Sequence, residues 1–166
     1  MTRQIVFVCS GNICRSPLAE LAARRQFDHL PLDFVSAGLQ AVAGLPASPH
    51  SRAVAESWGG GLSGHASRPL TPRLAAEAAW LIGMTRSHAA IMRSRFGGDG
   101  TCAIGWLGAP GLDVRRQRFT PEGPEVDDPY GEDLASYEAA GRKIWRLVAG
   151  WADVFASLAA TRGEGT

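Results

Sequence analysis

No stretch of this chain approaches twenty consecutive apolar residues, so nothing in it reads as a membrane-spanning helix. The start, Met1-Thr2-Arg3-Gln4, is polar, and the apolar run behind it is too short for a secretory leader. The expectation is a cytoplasmic protein whose thiols stay reduced. Lysine is nearly absent: Lys143 is the only one, and arginine carries the rest of the positive charge, which reads as coding bias. Basic and acidic residues almost cancel, at a net charge of +1, so neither nucleic acid nor a membrane surface is an expected partner. The three cysteines, Cys9, Cys14 and Cys102, are an odd number with no disulfide framework, which leaves reactive chemistry as their use, with Cys102 in a predicted strand as inert core. There is no Walker A run and no GxGxxG, and His29, His50, His65 and His88 show no metal-ligand spacing.

What is present fits one soluble domain. The chain has 166 residues, 45% hydrophobic and 20% charged, enough for a real core. Strand-like and helix-like segments alternate: Ile5-Val6-Phe7-Val8 as a strand, 17–29 as a helix with Ser16 as its cap and Pro17 first inside it, and Leu32 to Val35 as a strand. Helices follow over 51–58 and from Thr71-Pro72 to about Ala78, then a strand at Ala79–Ile82, a helix over 86–95 and a strand at Cys102–Trp106. Residues 107–129 read as a long Gly/Pro loop, and long ordered loops are often functional. Leu134, Tyr137, Gly141, Ile144, Val148, Trp151, Phe155 and Leu158 predict one C-terminal helix packed on a sheet. Alternating βα units predict an α/β fold: a single domain over 1–160, three-layer α/β/α, with a four-stranded parallel sheet in flavodoxin-like/Rossmann-like order and a frayed tail at 161–166.

In such sheets the ligand sits beyond the carboxyl ends of the strands. The run Val8-Cys9-Ser10-Gly11-Asn12-Ile13-Cys14-Arg15-Ser16-Pro17 leaves the first strand at that edge and enters a helix. Amides from Ser10 through Gly11, Asn12, Ile13 and Cys14 to Arg15 can curl around a phosphate, with Gly11 permitting the tight turn. Arg15 offers a planar fork that matches two phosphoryl oxygens. The helix start and Arg15 favour the thiolate of Cys9, a nucleophile at the bottom of the cradle. Taken alone, a Cys-x5-Arg spacing also suits two small buried residues at a turn; the flanking Gly-Asn and Ser-Pro, strand before and helix after, carry the functional reading.

From about residue 4 to about residue 150 the chain resembles the low-molecular-weight protein tyrosine phosphatases. The run from Val8 to Pro17 looks like that family's signature, and Asp128-Pro129-Tyr130 looks like its second, late one. Ser36-Ala37-Gly38 and Met84-Thr85 are similar to family segments as well. The resemblance implies that Cys9 forms a phosphocysteine, that Arg15 binds the phosphoryl oxygens, that Asn12 and Ser16 support the loop and thiolate, and that Asp128 is general acid and then base. It implies no metal or organic cofactor and, as partners, phosphorylated protein substrates met by a monomer or weak dimer. Asp128 lies among Glu125, Asp127, Glu132 and Asp133, so Asp127 competes for the acid role; the Asp-Pro-aromatic order favours Asp128. Cys14, five residues from Cys9, is a candidate redox partner that would protect the nucleophile as a reversible disulfide, or else a packed small residue.

Among substrates the resemblance favours phosphotyrosine, with phosphoarginine as the alternative. Members acting on phosphotyrosine usually wall the pocket with two aromatics; here Tyr130 supplies one, while 39–44, where Gln40 lies, has none. A branch acting on phosphoarginine carries Thr where this chain has Ile13, which speaks for phosphotyrosine, whereas the bare wall speaks for the arginine branch. An arsenate-reducing branch needs further cysteines after the third strand, and 79–96 has none. A phosphate-binding module without catalysis would have lost Cys9, Arg15 or Asp128. The cluster Arg115-Arg116-Gln117-Arg118 reads either as a docking patch near the site or as a solvated loop.

Overall fold

The computed structural model describes residues 2–98, 102–117 and 122–161. Four parallel strands form one sheet in the order β2-β1-β3-β4: β1 is Arg3–Cys9, β2 Leu32–Gly38, β3 Ala78–Gly83 and β4 Ala103–Trp106. The helices are α1 (Arg15–Gln26), α2 (Pro49–Ser57), α3 (Pro72–Glu77), α4 (Arg86–Phe96), α5 (Leu134–Ala149) and α6 (Ala152–Ala160). The predicted α/β class, with a four-stranded all-parallel sheet and helices on both faces, is what is found.

Strand alternation divides the interior in two. Ile5, Phe7 and Cys9 of β1 face a core shared with α1, α2, α5 and α6, built around Leu18, Phe34, Ile144, Trp151 and Phe155. Val6 and Val8 face the other core, where Ala89 and Met92 of α4 pack on Leu81, Ile104 and Trp106. A central strand covered on both faces has no polar alternation, which is why Ile5-Val6-Phe7-Val8 is continuously apolar.

The structure corrects the sequence reading in three places. Helix α1 begins at Arg15, with Cys14 rather than Ser16 at its cap; the Ser16 hydroxyl is turned inward, 3.0 Å from Cys9 Sγ, and is unavailable to cap. Strand β2 continues through Ser36-Ala37-Gly38, paired with Phe7, Val8 and Cys9. The single C-terminal helix is two: at Gly150 and Trp151 the amides bond to the carbonyls three residues back, Leu147 and Val148, tightening the chain into a turn between α5 and α6. The apolar stripe survives because Trp151 and Phe155 still reach the same core as Ile144 and Val148. Of the predicted tail, 162–166 lie outside the described residues, as does Arg118.

Candidate active site

Cys9 ends β1 beside Gly38, and the loop that follows is shaped by donors outside it. Leu39 N–H reaches Cys9 O and Gln40 N–H reaches Ser10 O, both at 2.9 Å. His65 Nε2 donates to Asn12 O at 2.7 Å, Ser48 N–H to Ile13 O at 2.8 Å and Ser51 Oγ to Cys14 O at 3.2 Å. In a trans peptide each carbonyl points opposite the next residue's N–H. Pulling these five carbonyls outward therefore turns the amides of Ser10, Gly11, Ile13, Cys14 and Arg15 inward, and a ring of inward amides is an anion seat. Gly38 permits the close approach: a Cβ there would stand 2.6 Å from Ser10 O and 3.0 Å from Asn12 N.

Asn12 sets the bend. Its φ is +57°, the only positive value outside glycine among the described residues. Its side chain is buried and fully used: Nδ2 donates to Ser16 Oγ (2.8 Å) and Ser36 Oγ (3.0 Å), and Oδ1 accepts from Arg68 N–H (3.0 Å). Ser36 Oγ in turn donates to Glu20 Oε2 at 2.5 Å, and Glu20 pairs with Arg24. Cys9 Sγ accepts the Asn12 N–H at 3.3 Å and has Ser16 Oγ within 3.0 Å. The sulfur thus accepts the Asn12 amide and lies against the Ser16 hydroxyl, which also reaches Ala37 O at 3.4 Å, beneath the ring of amides.

Arg15 is 4% exposed. Its Nη1 donates to Val126 O at 3.0 Å, its Nη2 lies 3.4 Å from Asp128 Oδ2, and its buried Nε has no partner among the described residues. The segment bearing Asp128 is held in place by Val126 N–H on Met84 O (3.0 Å) and by Glu125 Oε1 on Arg86 N–H (2.7 Å). That last bond and the Arg86 guanidinium hold the Glu125 carboxyl below its ordinary range. Asp128 Oδ1 accepts from Tyr130 N–H at 3.1 Å, an Asx turn across Pro129 that leaves the other oxygen for Arg15. Asp127 makes no such contact with Arg15; of the two adjacent carboxylates only Asp128 is brought to the guanidinium.

These groups meet around one cavity of about 240 Å³, lined by Cys9, Ser10, Gly11, Ile13, Cys14, Arg15, Gln40, Asp128 and Tyr130. Tyr130 stands 68% exposed at its rim. Cys14 Sγ turns to Tyr137 Oη (3.4 Å) and Ser48 Oγ (3.5 Å); burial pushes its thiol up, and burial together with this contact pushes Tyr137 up to about 12. Cys9, Cys14 and Cys102 are all free thiols. A wider opening of about 740 Å³ lies at the opposite, amino end of the sheet, lined by Arg3, Ala78, Asp113, Arg115 and Arg116 among others. Arg115 and Arg116 both pair there with Asp113, so this part of the basic cluster does not lie near the cavity of Cys9. No group of three potential ligands suited to a metal ion occurs among the described residues.

Two histidines and a glutamate escaped the sequence reading. His65 braces the loop from 53 residues away, and His88 from 78, with Nε2 at 3.2 Å from Ser10 Oγ. Burial, and after it the charge of Arg15, lower His88 to about 4. Glu20 backs Ser36 from inside α1. The one signal for His88 is position: it follows the third strand by one helical turn, at the edge of the sheet that carries Cys9.

Comparison with known proteins gives concordant results. The family model described as low molecular weight phosphotyrosine protein phosphatase matches residues 4–162. The probable low molecular weight protein-tyrosine-phosphatase EpsP of Ralstonia nicotianae is 30% identical over 151 residues, 91% of this chain and 94% of its own. The low molecular weight protein-tyrosine-phosphatase Wzb of Salmonella typhi is 31% identical over 154 residues, 92% of this chain and 93% of its own. Among solved structures, the YwlE arginine phosphatase from Geobacillus stearothermophilus superposes with a TM-score of 0.78 at 26% identity, covering 99% of both chains. The tyrosine phosphatase Wzb from Escherichia coli K30, in complex with sulphate, superposes with a TM-score of 0.76 at 27% identity over 92% of this chain and 98% of its own.

Proposed function

The chain belongs to the low molecular weight phosphotyrosine protein phosphatase family, and from that premise we propose that it hydrolyses protein phosphomonoesters, phosphotyrosine first, through a phosphocysteine on Cys9. The phosphoryl group is seated in the inward amides of Ser10, Gly11, Ile13, Cys14 and Arg15, with the Arg15 guanidinium on two of its oxygens. The Cys9 thiolate attacks phosphorus in line; the S–P bond forms as the P–O bond to the leaving group breaks, and Asp128 gives that oxygen its proton. Asp128, now a carboxylate, takes a proton from water as the water attacks phosphorus. The S–P bond then breaks, and its electron pair returns to sulfur, where Asn12 N–H and the Ser16 hydroxyl receive it. The products are the free hydroxyl and orthophosphate.

The observation that carries this reading is the Arg15 guanidinium, buried and spanning from the loop of Cys9 to the Asp128 carboxylate at 3.4 Å. Its test is p-nitrophenyl phosphate turnover. Wild type is expected to be active and Cys9→Ser inactive, whereas an inactive wild type would sink the enzyme assignment. Asp128→Ala is expected to lose about 10²-fold or more in kcat on a poor leaving group. An unchanged rate there would remove Asp128 from the acid role. Within this reading the enzyme works in the cytoplasm as a monomer or weak dimer, and Cys14 closes onto Cys9 as a protective disulfide under oxidation.

A second substrate class has an observation in its favour. The wall at 39–44 offers the cavity Gln40 and no aromatic ring, and the chain covers the arginine phosphatase from end to end. Ile13 at the cavity wall weighs for phosphotyrosine. Comparing kcat/KM on phosphotyrosine and phosphoarginine peptides, with and without Ile13→Thr, decides between them. Phosphotyrosine is expected to lead in wild type and to lose ground in the variant.

A further inference from the structure

Ser10 and His88 form a pair that the steps above leave unused. His88 is 5% exposed and stands one turn into α4. Its Nδ1 faces the Met84 N–H at 3.2 Å, a hydrogen shared with Val8 O at the same distance; a donor there puts the ring hydrogen on Nε2, which donates to Ser10 Oγ at 3.2 Å. The neutral imidazole thereby ties the exit of β3 to the first residue after the nucleophile, fixed at both nitrogens. A serine hydroxyl has one hydrogen to donate and two sites that accept. His88 fills one accepting site, and among the described residues Ser10 Oγ has no other partner. Ser10 nevertheless lines the cavity between Cys9 and Gly11. Its hydrogen is therefore free for whatever occupies that cavity.

We propose that Ser10 contacts the substrate directly, donating its hydroxyl hydrogen to a lone pair of the bound phosphoryl compound, and that His88 is the positioning residue that turns the hydroxyl to do so. The proposal rests on the phosphatase reading and extends it from the loop's backbone to one side chain and its support. Two atoms of the substrate offer the lone pair, a phosphoryl oxygen and the leaving atom.

The experiment measures KM and kcat for p-nitrophenyl phosphate, and Ki for orthophosphate, in wild type and five variants: Ser10→Ala, Ser10→Thr, His88→Gln, His88→Leu and the Ser10→Ala/His88→Leu double. Ser10→Ala is expected to raise KM about 3- to 10-fold, the scale of one neutral hydrogen bond, with kcat within about 2-fold. Ser10→Thr, which keeps the hydroxyl, restores KM. His88→Leu reproduces Ser10→Ala, while His88→Gln, which still offers an N–H, stays nearer wild type. In the double variant the leucine adds nothing once the hydroxyl is gone. A Ki that rises with KM assigns the contact to a phosphoryl oxygen; a Ki that holds while KM rises assigns it to the leaving atom. Unchanged KM and Ki in Ser10→Ala overturn the proposal, and so does a full His88→Leu effect in the Ser10→Ala background. Wild-type turnover that Cys9→Ser abolishes keeps the phosphatase reading standing in either case.

Discussion

Asn12 carries strain that its hydrogen bonds offset. An L-residue in the left-handed region costs about 1–2 kcal/mol, and asparagine is among the few side chains that tolerate it. Asn12→Ala would keep the backbone demand and strip Ser16, Ser36 and the Arg68 amide of their buried partner. The expected outcome is a loss of about 2–4 kcal/mol in urea unfolding and at least a tenfold fall in kcat/KM, since the sulfur's donor Asn12 N–H moves with the bend. His88 gives stability a pH signature. In the folded chain it stays neutral to about pH 4, whereas an unfolded histidine takes its proton near 6.5. Between those values the unfolded chain binds more protons, so stability falls as pH drops through the window, by roughly 3 kcal/mol in all. Denaturation midpoints at pH 7, 5.5 and 4.5 are expected to trace that slope, and His88→Gln to flatten it. Cys9, Arg15 and Asp128 were legible because their evidence is local: a spacing of six and an Asp-Pro-Tyr triplet. His65, His88 and Glu20 were not, since a lone polar side chain announces nothing until the fold carries it to its partner.

At the level of elements, what sequence periodicity reveals is which face is buried, and what it hides is where a helix starts or stops. Ser16-Pro17 has the chemistry of a helix start, yet the serine lies against the sulfur and the helix opens two residues earlier, at Arg15 instead of Pro17. The stripe from Tyr137 to Phe155 passes unbroken across Gly150 because the tightened turn keeps Trp151 and Phe155 on the core side. Strand β2 and the phosphate loop touch most closely at Gly38. Gly38→Ala would drive a methyl carbon against Ser10 O and the Ala41 Cβ, 2.6 and 2.9 Å away, both held by backbone. The expectation is a drop of about 1–3 kcal/mol in stability. Orthophosphate affinity should weaken with it, readable by calorimetry, because the displaced carbonyl is one that orients the ring of amides.

Over the whole molecule the site depends on the segment 122–130 that carries Asp128, the end of a run the sequence marked only by its length. Among the described residues, the stretch just before Asp128 is tethered by Val126 N–H on Met84, by Val126 O on Arg15 and by Glu125 on the start of α4. Removing the last with Glu125→Ala leaves nucleophile and cradle intact and loosens the carrier of Asp128. A fall of about 3- to 10-fold in kcat is expected on an alkyl or phenyl phosphate, with p-nitrophenyl phosphate nearly unaffected, because a good leaving group needs little proton donation. Equal losses on both would place the fault in the cradle instead. The Arg15 tether has a further consequence, for the order in which the protein comes into being. It joins positions 111 residues apart, and Cys14 meets Tyr137 across 123. A chain emerging from the ribosome displays its thiol early and meets the carboxylate only near the end, so nucleophile and acid stay separated until the last helices dock. Turnover is therefore a clock for completed folding: after dilution from denaturant, activity should return with the same rate constant as the fluorescence of the five tryptophans, among them Trp80 and Trp151, whose rings lie 5.0 Å apart in the finished core, and never ahead of it.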